Sequence, residues 1–344
     1  MKNKVHIIGG GLAGIVAAAA LRAEGFADDI IIYEATFHLG GRGSSNFIPS
    51  FTRYVDDNHM MVRANKSILR FLNIIGAGDR VCAAGLSLSF KDKRFCKLWK
   101  LAAESVMNTP VKTMAKGLFF KTLLAALKAP FPLMVKKSFD DTFVSPFLDF
   151  AKRHKISVEY GMKCNGFIAG KELSFCDKKI NLRNEDKVIF ALPYFAMGKL
   201  FTDIPTLSYN TVSNIHFLLP NKQEKPVFCG VVGGMGHWYK VRDDVVSVTI
   251  SNCPKADAET ARKIWNEAKD VLSLKGSYLK MAVINQKRAT ILQTPENLLA
   301  RNKALQMLEA IGITYAGDWT IKNLPCTLEA AALSGFKAAN KVCL

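Results

Sequence analysis

Three short segments of this chain carry residues whose types and spacing could do chemistry, and the first is a GxGxxG pattern. Its glycines are Gly9, Gly11 and Gly14. In such a turn the first glycine permits a tight bend, the second lets the backbone approach a pyrophosphate, and the third lets a helix sit close to the preceding strand. The helix would begin at Leu12 and Ala13 and offer free N–H groups to the anion. The pattern predicts a dinucleotide-binding turn, with a purely structural turn as the alternative.

The surroundings of this turn favour the dinucleotide interpretation. The apolar run 5–8 precedes it directly, and Glu34 stands 20 residues after Gly14, at the end of a second apolar run, 30–33. A carboxylate at this place can accept hydrogen bonds from ribose hydroxyls and would repel a 2′-phosphate. The glycines would interrupt the apolar core of a secretory signal, so we favour a strand, a turn and a helix over a signal peptide.

The second segment is Gly40, Gly41 and Arg42, shortly after the predicted ribose-binding strand. Its glycines leave room for a phosphate, and a guanidinium group can bind a pyrophosphate through two hydrogen bonds. A glutamate followed by such a segment is more specific to flavin folds than to nicotinamide folds. The run 9–44 resembles the FAD-binding entry of the flavin amine oxidase and phytoene desaturase superfamily, and this resemblance implies an FAD cofactor.

The third segment lies near the C-terminus and resembles the same superfamily. There a late Gly-Asp turn contacts the pyrophosphate and the ribityl chain, which here implies Gly317 and Asp318. The N-terminus of the last helix points at the flavin pyrimidine, which implies Thr327 and Leu328. A helix N-terminus stabilises the negative charge that a reduced flavin carries there. Relatives also have a residue whose backbone touches the adenine, and the matching residue here is Cys164.

The sequence of the third segment resembles one family more closely than the superfamily as a whole. Ala-Gly-Asp-Trp-Thr at 316–320, followed by Leu-Pro-Cys-Thr-Leu-Glu at 324–329, resembles the hydroxysqualene dehydroxylases of hopanoid and squalene biosynthesis. That family removes the hydroxyl group of hydroxysqualene to give squalene. The resemblance implies a reductive FAD-dependent oxidoreductase that acts on a C30 isoprenoid and receives electrons from a donor.

Such a reaction needs a hydride from reduced flavin, an acid that helps the hydroxyl leave as water, and a dry apolar channel for the substrate. For the acid we name Asp56 and His59, which follow the second glycine segment. The alternative for His59 is an ordinary hydrogen-bonded histidine. The 22 phenylalanines are compatible with an apolar channel, in which Trp238 and Tyr239 are candidates to stabilise a cation.

Other functions fit the same residues. A carotenoid or squalene desaturase would move hydride in the opposite direction, and an amine oxidase is a more distant alternative because nothing marks an amine-binding cage. The chain is shorter than its relatives, its segment around His59 lacks a glycine, and Ala330 stands where glycine is usual in the closing helix. These departures motivate a further alternative, a flavin-binding relative that has lost catalysis.

The elements that must position these residues suggest a discontinuous nucleotide domain. The sequence shows a strand–helix–strand pattern at 5–33 and a strand–helix pattern at 313–341, and the residues between them follow a different pattern. We predict an α/β fold with a Rossmann-like FAD-binding domain of GR2 type, a small antiparallel meander over 156–189, and an inserted mixed α+β substrate lobe. The predicted FAD-binding domain comprises residues 1–80, 155–200 and 306–344, and the predicted lobe comprises residues 81–154 and 201–305.

Composition sets the outer limits of these interpretations. The length of 344 residues, with 49% hydrophobic and 22% charged residues, excludes a disordered chain and a small disulfide scaffold. The net charge of +18 suggests an anionic partner, but no nucleic-acid-binding motif accompanies it, so we expect no nucleic acid. The eight cysteines form no CxxC pair and the histidines have no ligand spacing, which predicts no metal site and a reduced, cytoplasmic protein.

A basic, apolar stretch at 117–135 suggests a membrane surface as the anionic partner. On a helix, one arc would hold five apolar side chains, those of Phe119, Phe120, Leu123, Leu124 and Leu127. Lys121 and Lys128 lie at the edge of this arc, a pattern typical of a helix that lies in a membrane interface. The alternative is a lobe helix whose apolar face is buried in the protein. The first interpretation predicts peripheral attachment to the inner face of the cytoplasmic membrane.

Overall fold

The computed structural model describes residues 3–57, 59–129, 131–224, 226–253 and 255–343. The α-helices of this described chain are α1 (Leu12–Ala23), α2 (Lys66–Ile74), α3 (Phe95–Met107), α4 (Lys116–Leu127), α5 (Ser145–Arg153), α6 (Tyr194–Leu200), α7 (Ala258–Leu272), α8 (Pro295–Ala310) and α9 (Leu328–Cys343).

A five-stranded parallel sheet forms the first part of the fold, with the strand order β19-β13-β1-β2-β9. Its strands are β1 (Lys4–Ile8), β2 (Asp29–Tyr33), β9 (Ile156–Glu159), β13 (Lys187–Phe190) and β19 (Thr314–Tyr315). The central strands are almost continuously apolar, and Val5, Ile7 and Ile32 are fully buried. This is the pattern of a parallel sheet that is covered on both faces. The predicted Rossmann-like α/β fold is confirmed.

Helices α1 and α9 cross at close range because small residues face each other. A Cβ atom at Gly335 would lie 2.5 Å from the carbonyl oxygen of Ala13. Glu329, the second residue of α9, accepts hydrogen bonds from the backbone N–H groups of Ser67 and Ile68 at the start of α2. These otherwise unpaired groups are satisfied in the manner of a helix cap. The last helix is thereby fixed against the first two.

A second sheet of six strands has the order β18-β14-β17-β16-β15-β7. Its strands are β7 (Leu86–Phe90), β14 (Tyr209–Leu218), β15 (Val227–Val232), β16 (Trp238–Arg242), β17 (Val245–Ser251) and β18 (Lys280–Ile291). The pairs are antiparallel except for β7, which runs parallel to β15. One face is apolar and packs against α7 through Ile264 and Trp265. The sequence gives little sign of β7, since its Leu-Ser-Leu-Ser-Phe alternation is short and lies on an edge.

Smaller sheets complete the structure. Strands β10 (Cys164–Ile168), β11 (Glu172–Phe175) and β12 (Lys179–Asn181) form an antiparallel meander, β3 (Asn46–Ile48) pairs with β4 (Arg53–Val55), and β8 (Pro132–Val135) lies between β5 (Met61–Val62) and β6 (Val81–Ala83). The meander is shorter than the predicted 156–189, because the flanking strands β9 and β13 join the parallel sheet.

The helix expected over 117–135 has different bounds in the structure. The stretch is helical only as far as Leu127, and its last residues form β8 instead. Helix α7 begins at Ala258 because the carboxylate of Asp257 accepts a hydrogen bond from the Thr260 N–H group and caps it. None of the described helices combines the length and the hydropathy that a bilayer crossing requires.

The segment before α5 bears on the proposed domain division. A π-helical turn at Asp140–Val144 leads into α5, and Phe143 and Phe147 from this segment pack in the core around α1. This segment belongs to the predicted lobe in sequence but contacts the parallel sheet's core in space. The division into two domains stays a prediction.

The α1–α9 crossing predicts a large effect of one methyl group. Gly335→Ala would place a Cβ atom against backbone, which cannot move aside as a flexible side chain can, and we expect a loss of about 2 kcal/mol or more of unfolding free energy. Gly198→Ala is the matched control, because Gly198 also lies in a helix but its added Cβ atom meets nothing within 4 Å. The control should be neutral or stabilising by up to about 1 kcal/mol. Equal stabilities of the two variants in urea denaturation would contradict the close packing.

Candidate cofactor site

The first glycine turn has the geometry that an anion requires. Gly9 has φ +107°, and a Cβ atom there would lie 2.5 Å from the Ala191 carbonyl oxygen, so only glycine fits. Helix α1 begins with Gly11 as its N-cap, no side chain caps it, and no acidic residue stands in its first turn. The N–H groups of Leu12 and Ala13 therefore have no side-chain partner and can face an anion.

The third glycine and the carboxylate of the motif complete this end of the site. A Cβ atom at Gly14 would lie 2.0 Å from the Gly9 carbonyl oxygen, so the close approach of α1 to the turn requires glycine. Glu34 accepts hydrogen bonds from the Gly10 N–H group at 2.8 Å and from the Thr36 backbone and hydroxyl, both at 2.9 Å. These bonds fix a half-exposed carboxylate at the end of β2, where it can still accept from ribose hydroxyls.

The second glycine segment lies directly beside the first. The Gly40 N–H group donates to the Gly10 carbonyl oxygen at 2.9 Å, and a Cβ atom at Gly41 would lie 3.2 Å from the Gly11 Cα atom. Both Gly40 and Gly41 have positive φ angles. By contrast, a Cβ atom at Gly11 would meet nothing closer than 4.0 Å. The two turns therefore form one backbone cradle with free space above Gly11.

Arg42 joins the two ends of the chain. Its guanidinium group donates to a carboxylate oxygen of Asp318 at 2.6 Å and to the Ala289 carbonyl oxygen at 2.5 Å. Gly317 precedes Asp318 with φ +147°, and its N–H group donates to the Ser334 hydroxyl of α9 at 2.8 Å. The late Gly-Asp turn thus lies against the second glycine segment.

The start of α9 is capped by Thr327, whose hydroxyl oxygen accepts from the Ala330 N–H group at 3.2 Å. Leu328 begins the helix, and its N–H group belongs to the first turn, which makes no internal helical bonds. Ala330 is fully buried, so the methyl group that replaces the usual glycine packs inside the protein.

Cys164 lies at the start of β10 and is half-buried. Burial raises the pKa of its thiol. The preceding segment reaches the ribose end of the site, because the Met162 N–H group donates to the Glu34 carbonyl oxygen at 2.8 Å. The Cys164 thiol itself donates to the Gly166 carbonyl oxygen at 3.4 Å, and its placement beside an adenine stays a prediction.

A narrow cleft with room for about one water molecule lies where the second sheet meets these turns. Its lining includes Arg42, Phe195, Tyr209, Arg288 and Cys326. The Arg288 guanidinium lies over the Phe195 ring at 4.9 Å. The apolar channel expected from the resemblance is not open here: side chains fill this part of the described chain, and a C30 substrate would require them to move.

Of the two proposed acids, Asp56 is held by structural contacts. One carboxylate oxygen accepts from the Ser45 hydroxyl at 2.6 Å and from the Phe139 N–H group at 3.1 Å. The other lies 4.0 Å from the Arg242 guanidinium. Asp56 therefore holds the second glycine segment against the neighbouring elements. Because its carboxylate is occupied by these contacts, we assign it a positioning role and not that of the proton donor.

Polar side chains lie side by side on the face of the second sheet that is turned away from α7, which we call the inward face. His216 on β14, Ser247 on β17 and Lys240 on β16 are register neighbours, each at most 6% exposed. The Lys240 ammonium donates to the backbone carbonyl oxygen of Asp57 at 3.3 Å, and His216 Nδ1 and the Ser247 hydroxyl are 2.9 Å apart. The segment that contains the second proposed acid, His59, thus packs on a buried lysine.

Three buried polar atoms at this junction lack a hydrogen-bond partner among the described residues. They are Asp57 Oδ1, His59 Nε2 and His216 Nε2. Asp57 Oδ1 and His216 Nε2 are 3.6 Å apart, beyond hydrogen-bond distance. Asn58, between two of them in sequence, lies outside the described residues. Buried polar atoms without partners cost free energy, so the junction has unused capacity for a small polar group such as water or an alcohol hydroxyl.

The protonation states at this junction differ. Burial lowers the pKa of Lys240 to about 8 despite the nearby carboxylate of Asp56, so the side chain is an ammonium near neutral pH. Burial also lowers the pKa of His59 and favours its neutral form. A buried cationic donor therefore lies next to a neutral imidazole.

Lys240 was not among the candidates named from the sequence, and one of the two candidate cation-stabilising residues lies elsewhere in the structure. Tyr239 lies on the opposite face of the sheet, in the core with α7, and donates its hydroxyl to Glu267. Trp238 lies on the inward face beside Lys240, since alternate residues of a strand share a face. One pattern in the sequence could have indicated Lys240. It stands between Tyr239 and Val241, two core-forming residues of one strand, so its side chain must point to the opposite face of the sheet.

Comparison with known proteins adds evidence over the whole chain. Residues 7–73 match the family of NAD(P)-binding Rossmann-like domains. A hydroxysqualene dehydroxylase from Zymomonas mobilis is 28% identical, and the match covers 97% of this chain and 98% of that protein. One from Sinorhizobium fredii is 25% identical over 99% and 98%. The first alignment spans 408 residues against 344 here, so part of that relative has no counterpart in this chain.

Solved structures show the same fold. A candidate protoporphyrinogen oxidase from Exiguobacterium sp. 255-15 superimposes with a TM-score of 0.72 at 11% identity, covering 99% of each chain. A putrescine oxidase variant gives 0.72 at 10% identity, covering 99% of this chain and 98% of its own. From the sequence matches and this fold together, the chain is a nearly full-length homologue of the hydroxysqualene dehydroxylases, within the superfamily of FAD-dependent oxidoreductases.

Proposed function

We propose that this protein binds FAD and uses the reduced cofactor to replace the hydroxyl group of hydroxysqualene by hydrogen, giving squalene. The observation that carries the proposal is the homology to hydroxysqualene dehydroxylases along nearly the whole chain. The cradle between the two glycine turns supports the cofactor, and the buried ammonium of Lys240 supports the acid that the reaction needs.

The residues present fit the phosphate and ribose parts of FAD. The first turn of α1 offers N–H groups to a pyrophosphate, with open space above Gly11. Glu34 would accept the ribose hydroxyls, and Arg42 would exchange part of its bonding to Asp318 for the pyrophosphate. Leu328 would present the N-terminus of α9 to the pyrimidine of the ring system. When bound and reduced, FAD supplies a hydride.

Lys240 is the proposed proton donor, in place of Asp56. The Lys240 ammonium would transfer its proton to the oxygen of the alcohol as the C–O bond breaks, so that the hydroxyl leaves as water; reduced FAD would supply the hydride that replaces it on carbon. The buried Nε2 atom of His59, which has no hydrogen-bond partner among the described residues, can hold the hydroxyl group by a hydrogen bond before it leaves. Asp56 and Arg242 keep this segment against the sheet. An external electron donor would restore the reduced cofactor.

One structural observation favours a second candidate. The region around Arg42, Tyr209 and Arg288 is filled by side chains, and the chain is shorter than its alignment with the Zymomonas relative. A flavin-binding relative without dehydroxylase activity is therefore the alternative. A desaturase would use the same fold with hydride moving from substrate to oxidised flavin.

Because squalene and its alcohol are apolar, we also propose that the protein works in the cytoplasm at the inner face of the membrane.

The reaction itself is tested by incubating the reduced protein with hydroxysqualene and analysing the products by mass spectrometry. We expect squalene, and Lys240→Met should lower its rate of formation about 100-fold, the scale of general acid catalysis. Lys187→Met, which removes an exposed strand lysine, is the control and should keep the rate. No squalene from the wild type would reject the dehydroxylase, and a dehydrogenated product from the oxidised protein would support the desaturase.

The cofactor cradle is tested by Gly11→Val. The space around a Cβ atom at Gly11 is open, so the variant should fold normally while its side chain occupies the proposed pyrophosphate position. We expect FAD affinity to fall about 100-fold, or about 2.7 kcal/mol. Measurement is by fluorescence titration of FAD, with the thermal midpoint of the apoprotein as the folding control. Unchanged affinity in a folded variant would place the cofactor elsewhere.

The buried ammonium of Lys240 predicts a pH dependence of stability. Its pKa is about 8 in the folded protein and 10.5 in the unfolded chain, so the unfolded state binds more protons in between, and the contribution of Lys240 becomes more favourable as pH rises through that window. Lys240→Met removes this dependence. The stability of the variant relative to wild type should therefore decrease by about 2 kcal/mol between about pH 7.5 and about pH 9.5. Urea denaturation at both pH values measures it; a constant difference would mean that Lys240 is not buried as a cation.

A further inference from the structure

One segment of the chain carries half of the net charge and also presents a row of exposed apolar side chains. Residues 91–137 contain 11 of the lysines and arginines but only two acidic residues, a net charge of +9 out of +18 in the whole chain. This segment includes α3 and α4, which pack on each other. We call the exposed side of α4 with the loop that follows it the α4 surface; it comprises Phe120, Leu124, Leu127 and Phe131, with Lys116, Lys121 and Lys128.

The two sides of α4 differ in burial. Leu118 and Phe119 are buried in a small core that includes Met107 of α3. The residues Phe120, Leu124 and Leu127 follow i, i+4, i+7 spacing and form one stripe on the other side. They are 49%, 63% and 59% exposed. The arc predicted from the sequence is thus divided: part of it holds α4 to the protein, and the rest is largely exposed.

The end of the stripe is fixed in place. Phe131 is 63% exposed, yet its carbonyl oxygen accepts from the Arg63 N–H group at 3.0 Å, and the Arg63 guanidinium lies over its ring at 5.8 Å. At the other end, the ring of Phe120 lies 5.6 Å from that of Trp99 on α3. The apolar stripe therefore projects from a packed support.

The lysines of the α4 surface are exposed, and none of them forms an ion pair with a carboxylate of the described residues. Lys100 of α3 lies 3.9 Å from Glu104, and Arg94 pairs with Asp92. In the described part of the chain no carboxylate lies within that range of Lys116, Lys121 or Lys128. Cations on long apolar stems beside an apolar stripe can reach lipid phosphates while the stripe enters the acyl region.

We propose that the α4 surface binds the headgroup region of an anionic lipid bilayer. Charge complementarity selects this occupant, because a second copy of the chain, itself of net charge +18, would bring three more lysines against these three. Each lysine near an anionic surface adds to binding, and each apolar side chain that enters the interface adds its transfer free energy. The inference names the membrane partner of the proposed function and rests on that function only for the choice of lipid over an acidic protein.

The proposal is tested by sedimentation with vesicles, which requires neither cofactor nor turnover and so fails independently of the proposed function. The full-length protein is mixed with vesicles of phosphatidylcholine alone, or of equal parts of phosphatidylcholine and phosphatidylglycerol. We expect binding to the anionic vesicles at least about tenfold stronger than to the zwitterionic ones, decreasing with added salt. Equal or absent binding would overturn the proposal and leave an acidic protein as the partner of this surface.

Paired variants locate the binding to α4. The double variants Leu124→Ser/Leu127→Ser and Lys121→Glu/Lys128→Glu should each weaken binding to anionic vesicles by about tenfold or more. The matched control is Leu299→Ser/Lys303→Glu on α8, where Leu299 is 68% exposed and Lys303 is exposed one turn further along. The control should bind as wild type does. Equal losses in the control and in the α4 variants, with unchanged far-ultraviolet circular dichroism, would show general charge attraction and contradict a defined docking surface.

Discussion

The crossing of α1 and α9 is the contact on which the rest of the site depends. Gly335 brings the backbone of α9 against Ala13, so the first and last elements of the chain share one core. That contact sets Gly317 and Asp318 beside the second glycine segment, where Arg42 bridges them. A side chain at the crossing would separate the N-terminus of α9 from the cradle on α1. Small residues at this one point therefore position both halves of a binding site drawn from opposite ends of the sequence.

The parts of this arrangement that could be predicted from sequence are those determined by local chemistry. Glycines at fixed spacing between a strand and a helix require a backbone that only glycine adopts, as Gly9 shows. A glutamate at the end of the next strand has one place to lie, and Glu34 lies there. These features depend on a few neighbouring residues, so tertiary contacts do not override them.

The parts that could not be predicted depend on contacts between distant segments. Asp56 looked like a free acid in sequence, but Ser45 and Phe139 occupy its carboxylate. Lys240 looked like an ordinary strand lysine, but the pairing of β16 with β17 turns it inward onto Asp57. The apolar stretch at 117–135 ends as a helix at Leu127, because its last residues pair as β8. In each case a partner far along the chain decides the role of the residue.

The account as a whole claims that one flavin dinucleotide lies between the glycine turns and the start of α9. The visible absorption spectrum of the purified protein, before and after incubation with FAD and removal of the free cofactor, tests this most directly. The account predicts the two bands of oxidised flavin at about one flavin per chain, perturbed from those of free FAD by the surrounding protein. A folded protein that stays colourless after incubation would contradict the claim, whatever its homology.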